Sequence, residues 1–160
     1  MLRTMTATTA FALLATTAAA SDAHIIEQVD VQFELESIKS EVAAEFWSDL
    51  ELDLEEAIVT RVADQLGENG SEITIDIDEF EISNSFQGAL GIDSSLIAAV
   101  EIRNEDDPTK NSFYDLKVTV DESGKFQTND GTTVIVTHER EAVYDAVVQT
   151  FADGVVKRLY

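Results

Sequence analysis

Glu72-Ile-Thr-Ile-Asp-Ile-Asp-Glu-Phe-Glu-Ile82 decides the fold. Ile73, Ile75 and Ile77 recur at every second residue, with Asp76 and Asp78 opposite. That period belongs to a strand with one face in a core and one in water. At Glu79-Phe80 the phase slips by one. Phe80 and Ile82 can rejoin the core face only if a β-bulge inserts one extra residue. A sheet built from such strands needs an apolar cover on one side, which other parts of the chain must supply.

Two segments have the pattern to supply it. Leu50, Leu54, Ile58, Val62 and Leu66 fall at i+4 steps, with Val59 and Ala63 widening the stripe into one face of a helix. Ser48 and Glu51 have capping-box spacing. Asp49, Glu51, Asp53, Glu55 and Glu56 crowd the start, where the helix dipole favours negative charge. Gly67 is placed to end the helix in a left-handed conformation. Residues 37–47 read as a shorter preceding helix, with Phe46 and Trp47 as packing anchors. The second cover runs from about His138 to Leu159, where Val143, Val147, Phe151, Val155 and Leu159 repeat at i+4 beside Ala146 and Val148. Lys157 and Arg158 occupy its last turn, the favourable end for cations.

The remaining strands flank these elements. In residues 24–36, Val29, Val31, Phe33 and Leu35 oppose Asp30, Gln32, Glu34 and Glu36. Residues 95–103 form a strand, and in 112–121 Tyr114, Leu116, Val118 and Val120 alternate with Asp115, Lys117 and Thr119. Thr132 to Val136 adds a short one. Residues 68–70, 104–110 and 121–125 are turns or polar connections. The order β-α-β-β-β-(β)-α predicts an α+β fold: an antiparallel meander of four to five strands with two amphipathic helices on one face.

Residues 1–20, ahead of this domain, have the layout of a cleavable export signal. Arg3 and the amino terminus give a positive end, Ala10 to Ala15 an apolar middle, and Ala18-Ala19-Ala20 the small residues a peptidase needs before Ser21. The apolar middle is far short of the ~20 residues that span a bilayer. The chain has no cysteine, hence no disulfide and no lipid-attachment cysteine after the cut. These features predict a single domain over residues 21–160, released as a free soluble protein into a periplasm or secreted, with no membrane anchor.

The formal net charge is −22, from 32 acidic and 10 basic residues, and loss of Arg3 with the leader deepens it. Nucleic acid is excluded as a partner, because its binding releases counterions only where Lys and Arg meet phosphate. Such a charge favours cationic partners and solubility. A salty habitat, which screens carboxylates, is the preferred account of it.

Catalytic constellations are missing from the pattern. Only His24 and His138 exist, and His138-Glu139-Arg140-Glu141 lacks the second histidine of a zinc protease. Asp76 and Asp78 form one of many carboxylate pairs, read as a solvated face. Glu105-Asp106-Asp107 and Asn129-Asp130-Gly131 lack calcium-loop spacing, which leaves loose divalent-cation condensation and no resident cofactor or metal. Residues 84–95 stand out by placing Phe86, Leu90 and Ile92 beside two glycines in a connection. Folded under the sheet they form a cap of the core; left exposed, they are the contact surface for a protein partner in the cell envelope, the role the leading expectation gives them.

The leading expectation is therefore a non-catalytic binding or assembly accessory. The alternative is a carrier of small apolar ligands, with Tyr114, Tyr144 and Phe151 lining a cavity between the sheet and the C-terminal helix. A hydrolase using carboxylates comes third. Export has a direct check. Mass spectrometry of the protein from an envelope fraction should find Ser21 as the first residue, and an intact Met1 in the cytosol would refute it.

Overall fold

The computed structural model describes residues 24–83, 94–120, 125–128, 133–135 and 140–160. Six strands form one sheet in chain order: β1 (Ile26–Phe33), β2 (Ser71–Glu81), β3 (Ser94–Arg103), β4 (Ser112–Val120), β5 (Lys125–Thr128) and β6 (Thr133–Ile135). Among the described residues two α-helices, α1 (Trp47–Arg61) and α2 (Arg140–Lys157), pack with it to give an α+β fold. Thr132–Val136 is confirmed as a strand over its central residues. β5 was not expected, since residues 121–125 read as turn and only three residues follow before the next polar run.

The bulge in β2 is present. Ile77 pairs with Ala98 but Glu79 pairs with Ile97, which leaves Asp78 as the inserted residue. As a result Ile73, Ile75 and Ile77 before it, and Phe80 and Ile82 after it, are all fully buried. β3 has no slip: Leu96, Ala98, Val100 and Ile102 stay in phase throughout. Leu116 and Val118 of β4 continue the same face.

The meander is antiparallel from β2 to β6, but β1 joins β2 in parallel. The helix explains this departure from the expected all-antiparallel order. Parallel neighbours need a crossover connection, and α1 lies between β1 and β2 in the chain and returns it to the same end of the sheet. β1 carries its own irregularity between Ile26 and Gln28. The shift lets Ile26, out of phase with Val31, be fully buried as well.

α1 differs from its sequence reading at both ends. The capping box does not form: the helix starts at Trp47, Phe46 is the N-cap without a side-chain cap, and the Ser48 hydroxyl meets Asp49 Oδ1 at 3.3 Å. A single 3-10 turn, Ala43–Glu45, leads directly into it. Phe46 stacks on Tyr144 with ring centroids 4.5 Å apart, and Trp47 remains 44% exposed. Seating one aromatic ring has displaced a cap worth about 1 kcal/mol.

The far end stops at Arg61, not near Leu66. Gln65 and Gly67 instead bracket the start of β1: Ile26 N–H donates to Gln65 O at 2.9 Å and Gly67 N–H to Ile26 O at 3.0 Å. Leu66 and Ala63 are therefore exposed rather than part of the buried stripe. The left-handed residue in this turn is Asn69, with φ 60°, not Gly67. Gly70 follows it, where a Cβ would lie 2.7 Å from both Glu27 N and Ile25 O.

Leu50, Leu54, Ile58 and Val62 of the α1 segment and Val147, Phe151 and Val155 of α2 are fully buried in the same core as the sheet face. α2 lies close to the sheet: a Cβ on Gly154 would meet Leu116 Cδ2 at 3.0 Å. The opposite sheet face is open among the described residues, with Phe113 71% exposed. Phe80→Ala should cost about 3–5 kcal/mol in urea unfolding, whereas Phe113→Ala should stay within about 0.5 kcal/mol of wild type. Equal costs would contradict the one-sided core.

Candidate functional site

α1 and α2 lie side by side, and a groove of about 240 Å³ runs between their outer faces. From α1 it takes Asp53, Glu56, Ala57 and Thr60, which a helix places on one face at i, i+3, i+4 and i+7. From α2 it takes Tyr144, Asp145, Val148 and Gln149. Ala57 and Val148 give it an apolar part; the other six residues are polar, and none is basic.

Tyr144 is the fixed point of this groove. Its ring stacks on Phe46 and meets Phe80 edge-on at 6.2 Å, and its hydroxyl donates to Asp53 Oδ2 at 2.5 Å. Burial pushes the phenol far above its ordinary value, and the hydrogen bond and charge of Asp53 push the same way, with Asp49 and Asp145 adding to them. The hydroxyl therefore stays protonated and serves as a donor, which orients the Asp53 carboxylate.

One wall is locked by Arg61. Its Nε donates to Asp153 Oδ1 at 2.6 Å, and its Nη2 donates to Gln149 O and Oε1 at 3.2 and 2.9 Å. Its Nη1 bonds Ala57 O at 2.8 Å, so both helices are held by one guanidinium. What results is a small acidic slot between rigid walls. At about 240 Å³ it is below the ~300–1,000 Å³ of drug-sized ligand sites. A single side chain fits that volume.

Of the three residues expected to line an apolar cavity, only Tyr144 faces this groove. Phe151 is fully buried in the core. Tyr114 is half-buried on β4 with the Arg158 guanidinium 4.3 Å above its ring. Its hydroxyl has no hydrogen-bond partner among the described residues, and burial pushes it up to about 12 against the opposing pull of Arg158. Phe86, Leu90, Ile92 and His138, together with residues 129–131, lie outside the described residues. The neck of the 84–93 connection is nonetheless pinned, since Ser83 N–H donates to Ser94 Oγ at 2.9 Å.

Asp76 and Asp78 are exposed on the open face, with Asp78 in the bulge. In the 104–111 connection, Asp107 Oδ1 accepts from Thr109 N and Oγ1, and Asn104 Oδ1 accepts from the amides of Asp106 and Asp107. Among the described residues no group of three or more His, Asp or Glu side chains is placed to hold a metal.

The structure also pairs two residues that sequence reading kept apart. His24 Nε2 lies 2.9 Å from Ser71 Oγ. Their spacing suits a base and a nucleophile, but Ser71 is fully buried, so no substrate carbonyl can reach it. The groove residues were half legible: Asp53, Glu56 and Thr60 share one helical face in the sequence. Nothing local announces that Tyr144, some ninety residues later, joins them.

No known protein family matches the sequence, and no curated protein matches it. Among solved structures, the fold is similar to a PelC variant from Paraburkholderia phytofirmans, a dodecamer, at 8% identity and TM-score 0.43 over 86% of this chain and 89% of that one. A candidate lipoprotein from Caulobacter crescentus gives 9% identity and TM-score 0.39 over 82% and 86%. A candidate homolog of the neuraminyllactose-binding hemagglutinin from Helicobacter pylori gives 11% and 0.35 over 87% of each. At these values the likeness is one of outline.

The Tyr144–Asp53 bond can be isolated by a double-mutant cycle. Tyr144→Phe should cost about 1 kcal/mol in urea unfolding, and Asp53→Asn should be non-additive with it by about 0.5 kcal/mol or more. Strict additivity would show that the bond does not hold the groove.

Proposed function

We propose that this is an exported, non-catalytic binding protein of the cell envelope that accepts a basic side chain of a protein partner between α1 and α2. The observation carrying the reading is the groove itself, faced by Asp53, Glu56 and Asp145, with no lysine or arginine among the described residues that line it and Arg61 engaged behind the Gln149 wall. Its volume suits a lysine or arginine side chain: the apolar stem lies along Ala57 and Val148, and the charged head meets the carboxylates. The net charge of −22 steers a cationic partner toward any part of the surface, and the groove supplies the place where it seats. The export-signal layout of residues 1–20 supports the compartment. The apolar connection of residues 84–95 is a second proposed contact surface, with Phe86, Leu90 and Ile92 as its anchors.

Fluorescence anisotropy with a labelled lysine-rich peptide, at roughly physiological ionic strength, tests the reading. Replacing Asp53, Glu56 and Asp145 by their amides should weaken binding about tenfold or more, equivalent to about 1.4 kcal/mol. The matched control neutralises Glu72, Asp76 and Glu101, which are exposed on the sheet, and should bind like wild type. Equal losses in both variants would reduce the interaction to general surface charge and overturn the proposal.

A further inference from the structure

We propose that His24, Ser71 and Asn104 form a proton-operated latch that fastens the start of β1 to the start of β2 and to the 104–111 connection. This is independent of the groove and of what fills it.

Two side-chain hydrogen bonds build the latch, and with a neutral imidazole their protons can all run in one direction. With its single proton on the side of the Leu159 backbone, which favours it, His24 presents Nε2 as a bare nitrogen. Its Nε2, 2.9 Å from Ser71 Oγ, is then the acceptor and the Ser71 hydroxyl the donor. Ser71 Oγ in turn accepts from Asn104 Nδ2 at 3.2 Å. Asn104 is itself tied into its connection, its N–H bonding Asn111 Oδ1 at 2.6 Å and its Oδ1 receiving the amides of Asp106 and Asp107. The Ser71 hydroxyl and one Asn104 amide N–H each have an acceptor, provided the imidazole is neutral.

A second proton on the imidazole breaks that match. Nε2 becomes a donor, so Ser71 Oγ faces two N–H groups and its own hydroxyl proton loses its acceptor. Ser71 is fully buried and Asn104 nearly so, which leaves no water to take up the orphaned proton. The charged groups facing the ring are Lys110, which opposes protonation, and Asp107, which favours it, both on the 104–111 connection. Burial is the largest influence and, with Lys110, holds the imidazole below its ordinary 6.5 against the pull of Leu159 and Asp107. The sign follows from linkage. In the folded state His24 binds fewer protons than in the unfolded chain, so the contribution of the latch is intact above 6.5 and is lost as pH falls below it.

The backbone next to the latch is what it releases. Ser71 N–H donates to Ile25 O at 2.7 Å, and Ile26 N–H donates to Gln65 O at 2.9 Å. Opening frees the first residues of β1 from both neighbours, while the bulge and the helix-covered core further along are untouched.

The test uses the full chain and two measurements. An NMR titration follows the His24 imidazole, with His138→Gln removing the other histidine signal. Hydrogen exchange of the Ser71 and Ile26 amides is followed between about pH 7.5 and 5.5 and corrected for intrinsic exchange. The latch predicts a His24 midpoint below 6.5 and loss of amide protection in step with it. His24→Gln, which cannot gain the charge, should show protection independent of pH. A midpoint at or above 6.5, or the same acid loss in His24→Gln, would overturn it. The wild-type titration decides the matter even if the variant folds poorly.

Discussion

A sheet covered on one face can tolerate no strand that changes phase, and β2 changes phase at Asp78. The bulge there keeps five large residues, Ile73, Ile75, Ile77, Phe80 and Ile82, on the same side. Without it, Phe80 and Ile82 would turn to water, a loss of roughly 1.5–3 kcal/mol for each side chain. Phe80 also touches the rings of Phe33 and Tyr144, so the bulge reaches the groove. Tyr144 is held by Phe80 on one side and Phe46 on the other, and Asp53 is oriented by Tyr144.

Three of the ten cations of this acidic chain have a common use. Arg61 joins α1 to Asp153 and Gln149 of α2, Arg140 of α2 reaches Glu45 at 3.2 Å, and Arg158 just beyond α2 covers Tyr114 of β4. Each one fastens the second helix, or the turn that follows it, to another element. Arg140 and Glu45 are both more than half exposed, so that pair contributes little, within about 0–1 kcal/mol. Arg61 differs because its guanidinium also satisfies two backbone carbonyls and the Gln149 amide oxygen. Acidic residues, by contrast, have few places in the core and collect on the outer surfaces, one of which is the groove.

What could be read in the sequence was periodicity. The alternation of β2, its slip, and the i+4 stripes of both helices follow from side-chain direction along one element, and each is found in the structure. Features that failed were set by partners distant in the chain. Ser48 has the spacing of a cap, but Phe46 packs on Tyr144 and starts the helix earlier. Leu66 continues the stripe in sequence, but its backbone is used to bracket Ile26. The parallel pairing of β1 required knowing which edge of β2 the crossover reaches. The groove and the latch have the same character: Asp53 with Tyr144, and His24 with Ser71, meet only once the sheet and helices are assembled.

The bulge is thus the point at which the account is most exposed. Cross-strand nuclear Overhauser effects in the isotope-labelled protein read the β2–β3 register residue by residue. The account predicts contacts between Ile77 and Ala98 and between Phe80 and Leu96, with Asp78 lacking an opposite number on β3. An unbroken register, with Asp78 opposite Ile97 and Glu79 opposite Leu96, would contradict it and would place Phe80 on the open face.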